Sequence, residues 1–470
     1  MKTLTIEGVR AFKRPLTAPL GKLTLLVGQS STGKSTFLAC TRIAWDIAAG
    51  RECDFNEYPF ELGAYESIAH YHGGRGERVK EFAIGAEFRL PKQRASGFPQ
   101  VLPGKEPGAG TRTRTRTSTD TRTRTRTRTG ESTSIRTTMF AEDSLTIGGT
   151  FQSDHGSPNL VRWSATDARA SIDATRQNGR VIAEWRDADG ASRKMGLAFP
   201  RHIPLRFALG MIPPMLDAGP RRDHLWAFLR LFGRSVETGN SRPYAFAPVR
   251  SRPLRTYEPI RDRASPEGEH IPALLSRLHS QGGKPWKALS ESLLDFGRES
   301  GLFSELSIRS LGKKQESEPF QIRVGIAGQR GTRSLLDVGY GVSQVLPIVV
   351  ESALGPRGRM LLVQQPEVHL HPQAQAALGD FFATSAGQGA ARYVVETHSD
   401  YIVDRVAMAI RDPNHPLKAR DVSLLFFESE ESGVRVHAIE FSETGDVVNP
   451  PPGYRRFFLD EQARYLGADT

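Results

Sequence analysis

The residue types best suited to chemistry lie near the start of the chain, in the segment GQSSTGKS at positions 28–35. This segment fits the pattern G-x-x-x-x-G-K-[ST] and lies between a predicted strand, KLTLLV, and a predicted helix, FLACTRIAWDIAAG. The two glycines allow the backbone to wrap closely around an anion, and the N–H groups at the helix start attract phosphate. The residues predicted to contact a nucleoside triphosphate are Gly28, Gln29, Ser30, Ser31, Thr32, Gly33, Lys34, Ser35 and Thr36. Lys34 is expected to reach the β- and γ-phosphates of ATP, and the Ser35 hydroxyl is expected to ligate Mg²⁺.

A second segment, LLVQQPEVHLHP at positions 361–372, has the form of the second acidic motif of a P-loop ATPase but lacks its acids. Two amides, Gln364 and Gln365, stand where an apolar strand should end in two carboxylates. Gln364 then takes the place of the Asp that orders Mg²⁺, and Gln365 takes that of the catalytic Glu. A neutral amide can hold a metal-bound water or orient an attacking one, but it is a poor general base.

Two carboxylates near these amides could replace the missing acids. Glu367 follows the turn after Gln365, and Glu396 ends the predicted strand ARYVVET. We expect the strands that carry these motifs to flank the strand before the phosphate loop, which would bring both acids near the γ-phosphate. The hypothesis is that Glu367 or Glu396, with Gln365 positioning water, replaces the usual pair. The alternative is that Glu367 caps the next helix and Glu396 forms a salt bridge.

Strand patterns that alternate with helix patterns predict an α/β fold of mixed sheet and helices, with the phosphate loop in its core. The predicted core is discontinuous, over residues 1–95 and 320–420. Between its parts we expect a low-complexity insertion at 96–145, a β-rich continuation at 146–195 and a mainly helical insertion lobe at 196–319. A strand pattern at 79–90 belongs to the predicted core, and helix patterns at 223–236 and 285–300 belong to the predicted lobe. A small C-terminal domain is expected at 421–470.

Composition limits the class of protein. The chain has 470 residues, 38% of them hydrophobic and 24% charged, which is typical of a globular protein. No apolar run predicts a signal peptide or a membrane helix, so a cytoplasmic location without membrane contact is expected. Only Cys40 and Cys53 are present, which argues against a disulfide framework or a cysteine zinc cluster. His369 and His371 lack regular ligand spacing, so a structural role is favoured for them.

The net charge of +11 is uneven along the chain. The tract TRTRTRTSTDTRTRTRTRT at 111–129 has seven Arg and one Asp and contributes +6, so the remaining residues carry +5. This is weak support for nucleic-acid binding. The tract could grip DNA phosphates, but a solvated low-complexity loop is the favoured interpretation.

At both ends the chain resembles ABC-class ATPases related to the structural-maintenance-of-chromosomes and overcoming-lysogenization-defect proteins. More closely, it is similar to bacterial AAA-family ATPases that end in a short C-terminal domain of unknown function. The matching blocks are GQSSTGKSTFL, ELGAYESIAH (61–70), DVGYGVSQVLPIVV (337–350), QQPEVHLHPQAQAALGDFF (364–382), ETHSDYIVDRVAMAI (396–410) and the tail at 424–454. Relatives of this kind also carry glutamine in the place of Gln365.

The resemblance implies further site residues. GYGVSQ occupies the place of the ABC signature, whose helix start caps the ATP of a second subunit, and Gly341, Ser343 and Gln344 are its implied contacts. An ordinary Gly-bounded turn before a buried helix is the alternative. His398 matches the switch histidine that senses the γ-phosphate, with a buried histidine satisfied by backbone as the alternative.

The resemblance also implies an assembly and an output. A signature and a phosphate loop that act on one ATP must come from two subunits, so a homodimer with two buried nucleotides is expected. Relatives act on DNA or control an effector in phage defence or repair, so DNA and a separately encoded nuclease or toxin are the implied partners. A slow ATPase clamp and a nucleotide switch with little hydrolysis both stay open, while a transporter subunit is disfavoured.

Overall fold

The computed structural model describes residues 1–71, 78–89, 144–167, 170–177, 179–187, 192–198, 242–259, 264–312, 318–431 and 433–466. The chain divides into two compact units, Met1–Leu90 with Ser144–Thr470, and Pro91–Asp143. The second unit, with the Thr-Arg tract, lies outside the described residues, and so does the helix expected over 223–236. The first unit is described below.

An antiparallel sheet of eight strands contains the N-terminal strands and the predicted β-rich continuation. Its strands are β1 (Thr3–Glu7), β2 (Leu16–Pro19), β4 (Glu81–Arg89), β5 (Ser144–Asp154), β6 (Ser157–Thr166), β7 (Ala170–Gln177), β8 (Arg180–Asp187) and β9 (Ser192–Ala198), in the order β2-β1-β4-β5-β6-β7-β8-β9. The strand predicted over 79–90 is confirmed as β4, and the strand patterns over 145–195 are confirmed as β5 to β9.

A second sheet, of seven strands, carries the candidate site. Its strands are β3 (Leu23–Gly28), β10 (Tyr244–Phe246), β14 (Arg359–Gln364), β15 (Ala391–Glu396), β16 (Val422–Glu430), β17 (Gly433–Phe441) and β18 (Val447–Val448). The order is β10-β14-β15-β3-β16-β17-β18, parallel from β10 to β16 and antiparallel beyond. A small antiparallel sheet contains β11 (Glu305–Ser310), β12 (Phe320–Gly325) and β13 (Thr332–Ser334).

The strand order corrects one expectation. β15 lies directly beside β3, but β14 lies on the far side of β15 and does not flank the strand of the phosphate loop. Parallel neighbours are selected by long-range pairing between strands, for which a local sequence pattern carries no signal. Glu396 is therefore one strand away from the phosphate loop, and Gln364 is two strands away.

Eight helices are formed within the described residues. They are α1 (Lys34–Ala48), α2 (Tyr65–Ile68), α3 (Ile271–Gln281), α4 (Gly283–Ser300), α5 (Tyr340–Leu354), α6 (Pro372–Gly387), α7 (Asp400–Arg411) and α8 (Arg456–Tyr465). The helix predicted over 285–300 is confirmed as α4. Within the described ranges, no helix is long and apolar enough to cross a membrane.

Apolar side chains cover both faces of the seven-stranded sheet, as expected for parallel strands. Leu26 of β3 joins a cluster with α1 and the eight-stranded sheet, whereas Leu23 and Leu25 join a cluster with α5, α6 and α7. This double burial explains why KLTLLV is a nearly continuous apolar run.

Two predicted domain boundaries differ from the structure. β10 falls inside the predicted helical lobe of 196–319 but pairs with β14 in the core sheet. β16 falls inside the predicted C-terminal domain of 421–470 but pairs with β3 along the whole length of β3. The physical reason is that β3 and β14 are interior strands that need hydrogen-bond partners on both sides, and distant segments supply them.

Candidate nucleotide-binding site

The phosphate loop connects β3 to α1 through two glycines in conformations that favour glycine. Gly28 has φ 129°, and Gly33, which precedes α1, has φ 89°. A Cβ atom on Gly28 would lie 2.2 Å from the Phe427 carbonyl oxygen, and one on Gly33 would lie 3.0 Å from the Phe12 ring. The loop can follow this path only because both positions lack a side chain.

Lys34 is buried at the start of α1, with 3% of its surface exposed. Its Nζ donates to the carbonyl oxygens of Gly28, at 3.0 Å, and of Gln29, at 2.6 Å. The Thr32 hydroxyl also donates to the Gln29 carbonyl. Burial lowers the pKa of Lys34, while the charges of the nearby acids Glu396 and Glu367 oppose that shift. A desolvated cation therefore lies within the loop, whose outer residues Gln29, Ser30 and Ser31 are exposed.

Ser35 contacts a carboxylate across the sheet. Its Oγ donates to Glu396 Oε2 at 2.8 Å. Glu396 ends β15 opposite Leu26 of β3 and is 5% exposed. Burial raises the pKa of Glu396, while the Ser35 hydrogen bond and the Lys34 charge oppose the shift. Glu396 thus lies beside Ser35, where Gln364 was expected. Its hydrogen-bond partner there is a hydroxyl, whereas the alternative interpretation expected a salt bridge.

Gln364 ends β14, and Gln365 begins the turn that follows it. Gln364 lies opposite Glu396 in the sheet and is 5% exposed. The Gln365 N–H donates to the Glu396 carbonyl oxygen at 2.8 Å, and Gln365 has φ 41°. A left-handed backbone at a residue other than glycine costs on the order of 1 kcal/mol, and such strain occurs often at functional sites. The direction of the Gln365 side chain is therefore set by a turn that the hydrogen bond to Glu396 holds in place.

Glu367 is fixed to the loop after β15. Its Oε1 accepts from the His398 N–H at 2.6 Å, and its Oε2 accepts from the Thr397 hydroxyl at 2.9 Å. Burial raises the pKa of Glu367, and these hydrogen bonds oppose the shift. The next helix, α6, is instead capped by His371, which accepts from the Ala374 N–H. The alternative that Glu367 caps α6 is therefore wrong, and its carboxylate joins the turn after β14 to the loop after β15.

His398 is exposed at the end of that loop. Burial of part of the ring and the positive charge of Lys34 lower the pKa of His398, which keeps the imidazole neutral near pH 7. In the part of the chain that the structure describes, its imidazole forms no hydrogen bond. His398 thus keeps ring nitrogens available near Lys34, as a sensor of phosphate would require.

The predicted signature divides into an exposed and a buried part. Gly339 and Tyr340, at the start of α5, are exposed. A Cβ atom on Gly341 would lie 3.3 Å from the His369 carbonyl oxygen, so this helix start packs on the turn after β14. Ser343 is buried, and its hydroxyl donates to the Tyr340 carbonyl at 2.7 Å.

Gln344 of the predicted signature has partners within its own chain. It is fully buried, and its side-chain amide bonds both backbone groups of Arg250, at 3.0 Å and 3.4 Å. The contact of Gln344 with a nucleotide held by a second subunit stays a prediction, while in this arrangement its side chain binds the Arg250 backbone. The reason is that its position on α5 faces the core.

Two arginines at the site were missed by sequence reasoning. Arg10 Nη1 donates to the Thr36 hydroxyl at 3.3 Å, so Thr36, which is predicted to contact the nucleotide, already has a protein partner. Arg250 Nη2 donates to the Gln364 carbonyl at 3.0 Å. Both lie in irregular segments without a motif, and only long-range contacts bring them to the site.

The donor set fits Mg²⁺ with a triphosphate. No cluster of three or more His, Cys, Asp or Glu side chains is placed to hold a metal within the described ranges. Mg²⁺ is commonly held by one or two protein oxygens, waters and substrate phosphates, without a dedicated protein cage. The Ser35 hydroxyl, with Glu396 beside it, meets this requirement.

Comparison with known proteins gives a family match over part of the chain. Residues 222–404 match the family described as "AAA domain, putative AbiEii toxin, Type IV TA system". No match to a curated protein is found.

Three solved structures illustrate the similarity to structural-maintenance-of-chromosomes (SMC) heads. A head bound to the C-terminal winged-helix domain of ScpA is 11% identical, with 94% of this chain and 98% of that chain covered and a TM-score of 0.44. A head domain from Thermotoga maritima is 10% identical, with coverage of 93% and 98% and a TM-score of 0.33. A head with a coiled coil and joint from Pyrococcus yayanosii is 8% identical, with coverage of 98% and 99% and a TM-score of 0.40.

The matched family range ends in α7 and includes the signature, β14 and β15, while the phosphate loop precedes it. With that loop between β3 and α1, the chain has the strand–loop–helix unit of a phosphate-binding loop, and over part of its length it is similar to the AAA domain family.

Proposed function

We propose that the protein binds ATP with Mg²⁺ and hydrolyses it slowly, as a nucleotide-gated dimeric clamp. The observation that carries this proposal is the contact between Ser35 of the phosphate loop and the Glu396 carboxylate, at 2.8 Å. It supplies the acid that Gln364 lacks at the place where a P-loop ATPase needs one.

The roles of the side chains follow from their contacts. Mg²⁺, if bound, would supply positive charge that stabilises the charge developing on the phosphates. Ser35 and waters ordered by Glu396 would hold it. Lys34 would release its loop carbonyls and donate to the β- and γ-phosphates. The neutral His398 imidazole would donate a hydrogen bond to the γ-phosphate.

The attacking water would be placed by Gln365 and Glu367. The Gln365 amide, aimed by its left-handed turn, can orient water but cannot accept its proton. The Glu367 carboxylate is held on the same turn and can accept that proton. Phosphoryl transfer depends mainly on positioning and charge stabilisation, so this arrangement supports turnover that is slow rather than absent.

The dimeric clamp rests on the exposed start of α5. Gly339, Tyr340 and Gly341 present helix N–H groups beside the turn that carries Glu367. A second subunit that closes there would place its triphosphate against this helix start. We propose DNA-linked processes, such as phage defence or repair, as the setting.

A second candidate is a nucleotide switch with little hydrolysis that regulates a separate effector. It is favoured because Gln364 and Gln365, at the two positions where the motif usually has acids, have neutral side chains. A separately encoded nuclease or toxin is the proposed effector, as the family resemblance implies.

Binding of ATP to the purified chain with Mg²⁺, followed by a phosphate-release assay, tests these functions. Lys34→Ala is the blank, and we expect it to weaken ATP binding at least about tenfold. Release above the blank supports the slow ATPase, and binding without release supports the switch. If the parent chain does not bind ATP at all, both proposals fail.

A further inference from the structure

Arg250 is a charged side chain buried at the site without an evident structural reason. It is 2% exposed and follows β10 in the loop PVRSRP. Its Nη2 donates to the Gln364 carbonyl, while its Nε and Nη1 have no hydrogen-bond partner among the described residues. An unpaired buried donor costs free energy that an apolar residue of similar volume would avoid. A purely structural account therefore leaves the arginine at this position unexplained.

The backbone of Arg250 is held by the signature helix. Gln344 of α5 accepts from the Arg250 N–H and donates to the Arg250 carbonyl oxygen. Gln344 is itself fully buried, so these bonds are shielded from water. Any shift of α5 at Gln344 is therefore passed to the main chain of Arg250.

The side chain of Arg250 continues this connection to the turn that would place water. Gln364, whose carbonyl Arg250 binds, is followed by Gln365 in the left-handed conformation, and the Gln365 N–H is fixed to β15. The charge of Arg250 also acts on Glu367, and it opposes the effect of burial on the Glu367 pKa. The connection thus runs from α5 through Gln344 and Arg250 to the residues around Gln365.

We propose that Arg250 is a positioning residue that couples the start of α5 to the turn carrying Gln365 and Glu367. A nucleotide-bound second subunit that closes on α5 would thereby order the hydrolytic turn of the subunit that supplies α5. Each subunit would report closure at its own site, so the two ATP molecules of a dimer would be hydrolysed in a coupled manner. This inference rests on the proposed clamp and adds the means by which closure reaches the chemistry.

Hydrogen exchange of the full-length chain, with and without Mg²⁺ and a slowly hydrolysed ATP analogue, tests the coupling. Three peptides are followed: the phosphate loop, the start of α5, and the turn at 364–372. In the parent we expect all three to exchange at least about fivefold more slowly with nucleotide. In Arg250→Gln we expect the first two to respond as in the parent, while the turn loses its response.

Two further variants and one control separate coupling from simple destabilisation. Arg250→Lys keeps the charge and should restore part of the response, and Gln344→Leu, which removes the link from α5, should reproduce the loss. The double variant should be no worse than either single one, because both break the same connection. Arg42→Gln is the matched control, since Arg42 is 4% exposed, donates to the carbonyls of Glu57 and Tyr58 and also has an unpaired Nε.

The outcomes distinguish this inference from the function on which it rests. A turn that still responds to nucleotide in Arg250→Gln overturns the coupling but leaves the clamp intact. A loss of response that Arg42→Gln shows equally also overturns it, because destabilisation alone would then be the cause. A parent chain without protection of the phosphate loop contradicts the proposed function itself.

Discussion

At the residue scale, the proposed replacement of the missing acids rests on two carboxylates from neighbouring elements. β14 ends in Gln364 and is followed by Gln365, so neither position has an acid. Glu396 comes from the adjacent strand β15 and bonds Ser35, and Glu367 comes from the turn and bonds the loop before α7. Both are largely shielded from water, and this desolvation raises their pKa. Desolvated carboxylates that the fold tolerates at a cost are candidates for function.

Replacing Glu396 by Gln should separate activity from stability. We expect turnover to fall about tenfold or more, because a neutral amide orders Mg²⁺-bound water less well than a carboxylate.

Replacing Glu367 by Gln should also lower turnover by about tenfold, since the proton acceptor is lost. Steady-state phosphate release measures both. Rates equal to the parent in both variants would contradict the replacement of the missing acids.

The stability of Glu396→Gln should depend on pH with a definite sign. The pKa of Glu396 is raised in the folded state, so the folded protein holds this proton more tightly than the unfolded chain. Its stabilising contribution is complete below the unfolded pKa and is lost as pH rises through the folded pKa. The parent therefore loses this contribution as pH rises, whereas the variant does not. We expect the free energy of unfolding of the variant, relative to that of the parent, to be larger at pH 8 than at pH 5. Urea denaturation at both pH values checks this, and a constant difference would contradict it.

At the element scale, local order could be predicted and long-range pairing could not. The phosphate loop was predictable because glycine, lysine and hydroxyl residues act there within one strand–turn–helix unit. The position of β14 beyond β15, the pairing of β16 with β3 and the buried role of Gln344 depend on contacts between segments far apart in sequence. Arg250 was missed for the same reason, because its partners lie about a hundred residues away on other elements.

Replacing Gly28 by Ala tests how tightly β16 limits the phosphate loop. The added methyl group would meet the Phe427 carbonyl at 2.2 Å, and the backbone there has φ 129°. We expect a loss of about 1–3 kcal/mol in the free energy of unfolding, as for overpacked cores, together with weaker ATP binding.

Gly389→Ala is the matched control for that variant. Gly389 has φ 67° at the end of α6, and a methyl group added there would have no neighbouring heavy atom within 4 Å among the described residues. It should lose only the backbone term of about 1 kcal/mol and bind ATP as the parent does. Equal effects in Gly28→Ala and Gly389→Ala would show that the contact with Phe427 does not limit the loop.

At the scale of the whole molecule, distant segments of the first unit meet in the sheet of the phosphate loop. β10 and β16 bring segments from the middle and the end of the chain into the sheet of the phosphate loop. Movements at the site can therefore reach both segments through strand pairing. In the proposed clamp, the exposed start of α5 contacts a nucleotide only when a second subunit supplies that nucleotide.

Replacing Tyr340 by Glu should block dimerisation while leaving ATP binding intact. Tyr340 is 43% exposed at the start of α5, and a carboxylate there would repel the triphosphate that a second subunit presents. With Mg²⁺ and a slowly hydrolysed analogue, sedimentation should show a dimer for the parent and a monomer for this variant. Its affinity for ATP should stay within about twofold, because the residues expected to hold the subunit's own ATP lie on the phosphate loop and not on α5. Leu354→Glu, at the other end of α5, where Leu354 is 36% exposed, should dimerise as the parent does.

If Tyr340→Glu dimerises normally, the start of α5 is not the dimer interface. If the parent chain binds ATP but stays monomeric, the clamp is contradicted and the nucleotide switch is the function that is left.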